Sequence, residues 1–249
     1  MLEIKNLTEI TSNGLCIGCG LCQSVVGKEK IQISMTDKGR LEPRETTSLS
    51  NKDFRKIKEI CPGVLVEGLP KKEISKNSKE DLIWGIYNSL FYAWSSDKDI
   101  RFQSSTGGLL NGISLYLLET NKVDFILHTA GDPDKPMRSI PKFSYSKKDL
   151  LSCESRSRYG PASPLSKFNE ALDKNKNFAF IGKPCDISAI RLLSHPAHFH
   201  CPGISAVKFC LLLERPPSKN NLHFLLLGPR FLKEAVHRDQ FKRRPSCEL

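Results

Sequence analysis

The sequence predicts an α/β fold: a parallel or mixed sheet with flanking helices, behind a small N-terminal module of ferredoxin-like cysteine pattern. Three observations predict it. Cys16-Ile17-Gly18-Cys19-Gly20-Leu21-Cys22 sets three cysteines at strict x2 spacing, and a remote Cys61 is followed by Pro62. Beyond residue 90, short runs rich in aromatic and β-branched residues alternate with helix-period segments, the pattern of strands separated by helices. The 249 residues are enough for a small module plus a larger core-forming domain.

The cysteine run carries the sharpest chemical signal. Cubane iron–sulfur clusters are held by four thiolates, commonly a tight Cys-x2-Cys-x2-Cys run with one remote Cys before Pro. Gly18 and Gly20 suit a backbone that must wrap closely around an inorganic core and offer N–H groups to it. A two-cluster run would carry a further cysteine where Val26 stands, so the pattern reads as one 4Fe-4S cluster on Cys16, Cys19, Cys22 and Cys61. The competing assignment is a structural zinc site, whose ligands come as two Cys-x2-Cys or Cys/His pairs, a pattern this run matches poorly. An odd nine cysteines with no secretory signal argues against a disulfide framework and for a reducing, cytoplasmic setting.

No stretch approaches the ~18 apolar residues of a membrane span, so no membrane partner is expected. The net charge of +11 is spread along the chain. Most of it is solvated surface, but the field suits an acidic electron carrier such as ferredoxin, or an anionic cofactor. No recognition motif or aromatic–basic stripe points to nucleic acid.

In chain order, Lys30–Met35 alternates as a strand, Thr36-Asp37-Lys38-Gly39 turns, and Arg40–Pro43 returns. Asn51 is expected to cap a short helix carrying Phe54, Ile57 and Ile60 that ends at Cys61-Pro62-Gly63. Residues 1–70 thus form the cluster-binding module, and 71–84, rich in charge and Ser, a linker. An α/β domain spans 85–194. Leu90–Trp94 is a strand, Leu109–Leu118 a helix and Val123–Thr129 a second strand, a unit that predicts parallel pairing. Ile140–Tyr145 is a further strand, Leu165–Asp173 an amphipathic helix, Phe178–Ile181 a buried strand, Gly182–Asp186 a loop, and Ile187–Leu193 a helix.

Two strand-to-helix junctions draw notice. Ser104-Ser105-Thr106-Gly107-Gly108 precedes a helix, where backbone N–H groups at the positive end of the dipole favour a phosphate. The competing role is an ordinary Ser/Thr helix cap. Gly182-Lys183-Pro184-Cys185-Asp186 has the same placement; Cys185 beside Lys183 near a helix start is expected to have a lowered thiol pKa. The competing role for Cys185 is a small buried hydrophobe.

Four stretches in series resemble the coenzyme F420 hydrogenase/dehydrogenase beta subunit family, which includes plant 7-hydroxymethyl chlorophyll a reductase. They are Cys16–Cys22 with Cys61-Pro62, Gln103–Gly108, Ser157-Arg158-Tyr159-Gly160-Pro161, and Gly182–Arg191. The resemblance covers about residues 10–193 and implies an iron–sulfur flavoprotein oxidoreductase. FAD would sit in the α/β domain, with Ser104, Ser105, Thr106, Gly107, Gly108, Gly182 and Lys183 binding it. Ser157, Tyr159 and Cys185 would line the redox site. Electrons would pass between the cluster, the flavin and an external carrier, coenzyme F420 or ferredoxin, with a partner redox subunit. Thr106 stands where many members have Gly or Ser, and Lys183 where Thr is usual. The alternative is a non-catalytic iron–sulfur electron-transfer or metal-binding module that docks a redox partner.

After Ser194 the composition changes: five of the six histidines lie beyond it and no tyrosine does. Apolar clumps such as Cys210–Leu213 and Phe224–Leu227 are cut off by Pro or Gly and sustain no period. Where the family has an Ala-Gly-Thr-Pro-Ser-like stretch, this chain has Leu213-Glu214-Arg215-Pro216-Pro217, the run that codons GCT-GGA-ACG-CCC-TCC for the former would give if read one base later. The expectation is therefore a truncated α/β domain followed by an aberrant, out-of-frame tail over 195–249; the alternative is a genuine divergent tail.

Overall fold

The computed structural model describes residues 3–66, 76, 78–83, 85–87, 91–152, 158, 160–194, 207–212 and 241–245. The N-terminal part holds helices α1 (Leu7–Ser12) and α2 (Leu21–Val26), hairpin β1 (Ile31–Met35) and β2 (Leu41–Glu45), and helix α3 (Asn51–Ile60). The hairpin pairs antiparallel with Ile33 opposite Pro43, matching the predicted strands and turn. The predicted cap of α3 is corrected by one residue. Ser50, not Asn51, is the N-cap: its hydroxyl accepts from the Asp53 N–H at 3.1 Å, while Asp53 Oδ2 accepts from the Ser50 N–H at 3.3 Å. This reciprocal box satisfies two N–H groups that the helix start leaves without internal partners. Lys30 Nζ adds a 2.8 Å ion pair to the same carboxylate. These bonds, Lys30 first and Ser50 next, draw the Asp53 pKa down to about 2.

Helix α3 serves two cores. Ile57 packs with Ile4, Leu7, Ile10, Val26 and Ile31 in the N-terminal core, whereas Ile60 joins the larger core with Leu21, Phe125 and Phe168. The small module is thereby packed onto the α/β part rather than merely tethered to it. In the predicted linker, Lys79–Asp81 (β3) pairs antiparallel with Gly85–Tyr87 (β4), so its distal end is a hairpin. Residues 71–75, 77 and 84 of that stretch, and 67–70 before it, lie outside the described residues.

The α/β part is built on a mixed four-stranded sheet, as predicted. Its strands are β6 (Phe125–Gly131), β7 (Ser139–Ser144), β8 (Phe178–Gly182) and β9 (Val207–Leu212), in the order β7-β6-β8-β9. β7 runs antiparallel to β6, and β8 and β9 run parallel. β5 (Phe91–Ser95) departs from expectation. It does not join β6; it pairs antiparallel with β10 (Phe241–Pro245) in a separate two-stranded sheet. The reason is that both edges of β6 are occupied, one by β7 and the other by β8. β9 and β10 lie within the stretch assigned to the aberrant tail, whose residues 195–206, 213–240 and 246–249 lie outside the described residues.

Helices α4 (Lys98–Gln103) and α5 (Leu109–Glu119) follow β5, and α6 (Lys147–Leu150) follows β7. The predicted helix over 165–173 is split into a 3-10 turn, Pro164–Lys167, and α7, Phe168–Asp173. The predicted loop over 182–186 is shorter than expected. α8 begins at Pro184 and runs to Ser194, because proline lacks only an N–H that a first-turn residue does not use.

Alternation along the strands separates two faces. Phe125, Leu127, Phe178 and Phe180 belong to the core shared with α7, α8, Leu21 and Ile60. Ile126 and Ala179 belong to the core under α5. Phe125 and Phe178 stack with ring centroids 5.1 Å apart, and Phe168 meets Phe178 edge-on at 5.9 Å. Each such fully buried ring contributes about 1.5–3 kcal/mol of transfer free energy. Among the described residues, no helix is long and apolar enough to cross a membrane.

Candidate metal centre

Local structure brings the four predicted cysteines to one place. Cys16 and Cys19 lie on the turn between α1 and α2, Cys22 is in the first turn of α2, and Cys61 is the C-cap of α3. Together with Gly18, Gly20 and Pro62 they line one cavity. Gly18 and Gly20 have φ of +71° and +84°, the left-handed region that glycine enters at little cost. The close approach they permit is to the rest of the chain. A Cβ on Gly18 would lie 2.6 Å from the Leu41 carbonyl oxygen, and one on Gly20 would lie 2.9 Å from Ser166.

The electrostatics show the thiols to be mutual neighbours. Burial pushes the Cys22 thiol up to about 12, and the negative charges of Cys16 and Cys61 push the same way. Burial and then Cys22 raise Cys19 well above the usual thiol range. Burial raises Cys16, with Cys61 adding to it, and burial raises Cys61 against bonds from the Gly63 and Val64 N–H groups. The Gly18 N–H also donates to Cys16 Sγ at 3.4 Å. Four cysteine sulfurs on one cavity are a donor set that would have to lose its protons to hold a metal core. Among the described residues, no group of three or more His, Cys, Asp or Glu is placed to hold a metal ion. The four cysteines nonetheless wall one shared cavity.

The four are not equivalent. Cys16, Cys22 and Cys61 pack on the N-terminal core, whereas Cys19 packs on the larger core with Phe125 and Phe168. Residues invisible to motif reading hold that side. Ser163 Oγ donates to the Gly18 carbonyl at 2.7 Å, the Leu165 N–H donates to the Cys19 carbonyl at 2.9 Å, and the Asn169 N–H donates to Ser24 Oγ at 2.7 Å. These partners are separated by about 145 residues, so no local pattern could have announced them.

Gly182, Lys183 and Cys185 sit where β8 passes into α8. The expected lowering of the Cys185 thiol is corrected: its pKa is raised, first by burial and then by the charge of Asp186, against which Lys183 acts only in part. Asp186 itself is fully buried. Its Oδ2 accepts from the Lys183 N–H at 2.9 Å, its Oδ1 has no partner, and burial raises its pKa. The same carboxylate also raises the Cys19 thiol, so this junction and the cysteine loop share one electrostatic environment.

The Ser104–Gly108 stretch lies by the other core. Ser104 ends α4, and its hydroxyl accepts from Asn111 Nδ2 at 2.7 Å. Gly107 and Gly108 have φ of +68° and +69°, and Cβ atoms there would press on Trp94 and on the Ile100 carbonyl. The N-cap of α5 is Gly108, with no side-chain bond to the helix start. Ser157 and Tyr159, and the side chain of Thr106, lie outside the described residues. Arg158, between the first two, donates from Nη2 to the Arg138 carbonyl at 3.1 Å and to that of Pro136.

Residues 90–169 match the family model described as coenzyme F420 hydrogenase/dehydrogenase, beta subunit N-term. The chain is 29% identical over 117 residues to the coenzyme F420 hydrogenase subunit beta of Methanosarcina barkeri, covering 45% of this chain and 38% of that one. It is 24% identical over 119 residues to the subunit of the same name from Methanococcus voltae, covering 47% and 42%. A chain in a solved structure of the F420-reducing [NiFe] hydrogenase complex from Methanosarcina barkeri aligns with TM-score 0.47 and 28% identity, over 54% of this chain and 46% of that one. The chain thus spans about four-tenths of the length of the curated relatives it matches. The four cysteines and the β8–α8 junction lie outside the stretch matched by the family model. Over residues 90–169, the chain is thus similar to the N-terminal part of coenzyme F420 hydrogenase/dehydrogenase beta subunits.

Proposed function

We propose that this chain is an iron–sulfur flavoprotein oxidoreductase that passes electrons between a 4Fe-4S cluster, FAD and an external carrier, coenzyme F420 or ferredoxin. The observation that carries the reading is the cavity walled by Cys16, Cys19, Cys22 and Cys61, in which the charge of Cys61 acts on each of the other three. When bound there, a cluster supplies one-electron storage. The protein supplies four thiolates, N–H donors from Gly18, Gly63 and Val64, and an apolar surround.

The start of α5, whose N-cap is Gly108 and which follows Ser104, Ser105, Thr106 and Gly107, supports a seat for flavin phosphates. Gly182 and Lys183 are assigned to the same cofactor, and Ser157, Tyr159 and Cys185 to the redox site. Under this reading Cys185 acts as a neutral thiol, because its pKa is raised. The relatives are named as subunits of a hydrogenase, which supports a partner redox subunit for this chain as well.

Anaerobic purification with iron and sulfide tests the proposal. The expected spectrum has broad cluster absorbance overlaid by flavin bands, and Cys61→Ser loses the cluster as fully as Cys19→Ser. A Cys61→Ser protein with full iron and sulfide overturns the ligand assignment. A cluster without flavin points instead to the non-catalytic electron-transfer module, and zinc by elemental analysis overturns both.

A further inference from the structure

The cysteine loop is gripped from outside by the α/β domain, and the grip falls on two successive carbonyls. Ser163 Oγ donates to the Gly18 carbonyl at 2.7 Å in a buried bond. The Leu165 N–H donates to the Cys19 carbonyl at 2.9 Å. In a trans peptide the C=O and N–H point in opposite directions, and the described residues contain no cis bond. Turning the carbonyls of the 18–19 and 19–20 peptides toward the 3-10 turn therefore turns the N–H groups of Cys19 and Gly20 away from it. Cys19 and Gly20 both line the cavity that the four thiols wall.

We infer that Ser163 is a positioning residue of the cluster site: by holding the Gly18 carbonyl outward it aims the Cys19 and Gly20 N–H groups at the cluster sulfurs. This rests on the cluster reading above. N–H groups directed at cluster sulfur stabilise the more negative, reduced state, and such outer donors tune both potential and retention. The seating is close. Ser163 Cβ is 3.1 Å from where a Gly20 Cβ would stand, and Ser166 takes up the remaining space at 2.9 Å. Ser166 Oγ donates to the Ser163 carbonyl at 2.8 Å, so it shapes the turn without touching Gly18 through its hydroxyl.

The test uses the full chain, reconstituted anaerobically with iron and sulfide, as wild type, Ser163→Ala, Ser163→Thr and Ser166→Ala. Ser163→Ala is expected to shift the cluster midpoint to a more negative potential and to lose iron to a chelator about tenfold faster. Ser163→Thr keeps the hydroxyl and restores both values, and Ser166→Ala leaves the potential at the wild-type value. A Ser163→Ala midpoint equal to wild type overturns the inference while leaving the cluster reading intact. Failure of the wild type itself to take up a cluster overturns the reading beneath it. Should Ser163→Ala not fold, pulsed EPR of the wild-type reduced cluster decides. Exchangeable amide protons coupled to the cluster are expected, and their absence overturns the inference.

Discussion

Replacing Gly20 by alanine tests the contact between the cysteine loop and the α/β domain most directly. Gly20 has φ of +84°, and alanine held in the left-handed region costs about 1–2 kcal/mol. Its Cβ would also stand 2.9 Å from Ser166 Cβ and N and 3.1 Å from Ser163 Cβ. Two of these neighbours lie on or next to the backbone of the 3-10 turn and cannot swing aside, so an overpacking penalty of about 1–3 kcal/mol is added. The total is about 2–5 kcal/mol. Gly39 is the control: its φ is +74°, but nothing lies within 4 Å of its would-be Cβ, so Gly39→Ala bears the strain alone. Urea unfolding of the metal-free chain measures both. Gly20→Ala is expected to be less stable than Gly39→Ala by about the overpacking penalty, about 1–3 kcal/mol, and adding Ser166→Gly is expected to recover part of the difference. Equal losses in the two variants would refute the contact and with it the packing of the cysteine loop on this domain.

Two further predictions concern the sheet and the C-terminal stretch. His128 is buried on β6, with Nε2 2.7 Å from Ser144 Oγ and Nδ1 3.2 Å from the Thr129 carbonyl, and burial lowers its pKa to about 4. The unfolded imidazole then binds a proton that the folded one refuses, so stability present above the unfolded pKa of about 6.5 falls as pH drops toward 4, by about 3 kcal/mol. Urea midpoints for wild type and His128→Gln across that window isolate the effect, and identical slopes would remove it. If residues 195–249 are an out-of-frame tail, limited proteolysis leaves a resistant fragment ending near residue 194; a fragment protected through Leu212 would instead make β9 a native fourth strand and overturn that reading.

The sequence by itself determined what is encoded over a few neighbouring residues. The β1–β2 hairpin, the apolar face of α3, the buried strand β8 and the cysteine spacing are legible because turn chemistry, periodicity and ligand spacing are local properties. The cap of α3 missed by one residue because Ser50 and Asn51 are both good caps, and the bond to Asp53 chooses between them. Only the tertiary structure decided the rest. β5 and β6 read as one parallel unit, yet β7 and β8 compete for the two edges of β6 and take both. The Cys185 thiol is raised where its place at a helix start suggested lowering, because its burial and the Asp186 charge depend on packing. Ser163, Leu165 and Asn169 carry no motif at all; they act on Gly18, Cys19 and Ser24 only because folding sets a distant turn against the cysteine loop. The spacing of the four cysteines is a local property, whereas their orientation and electrostatics are set by contacts made across distant parts of the chain.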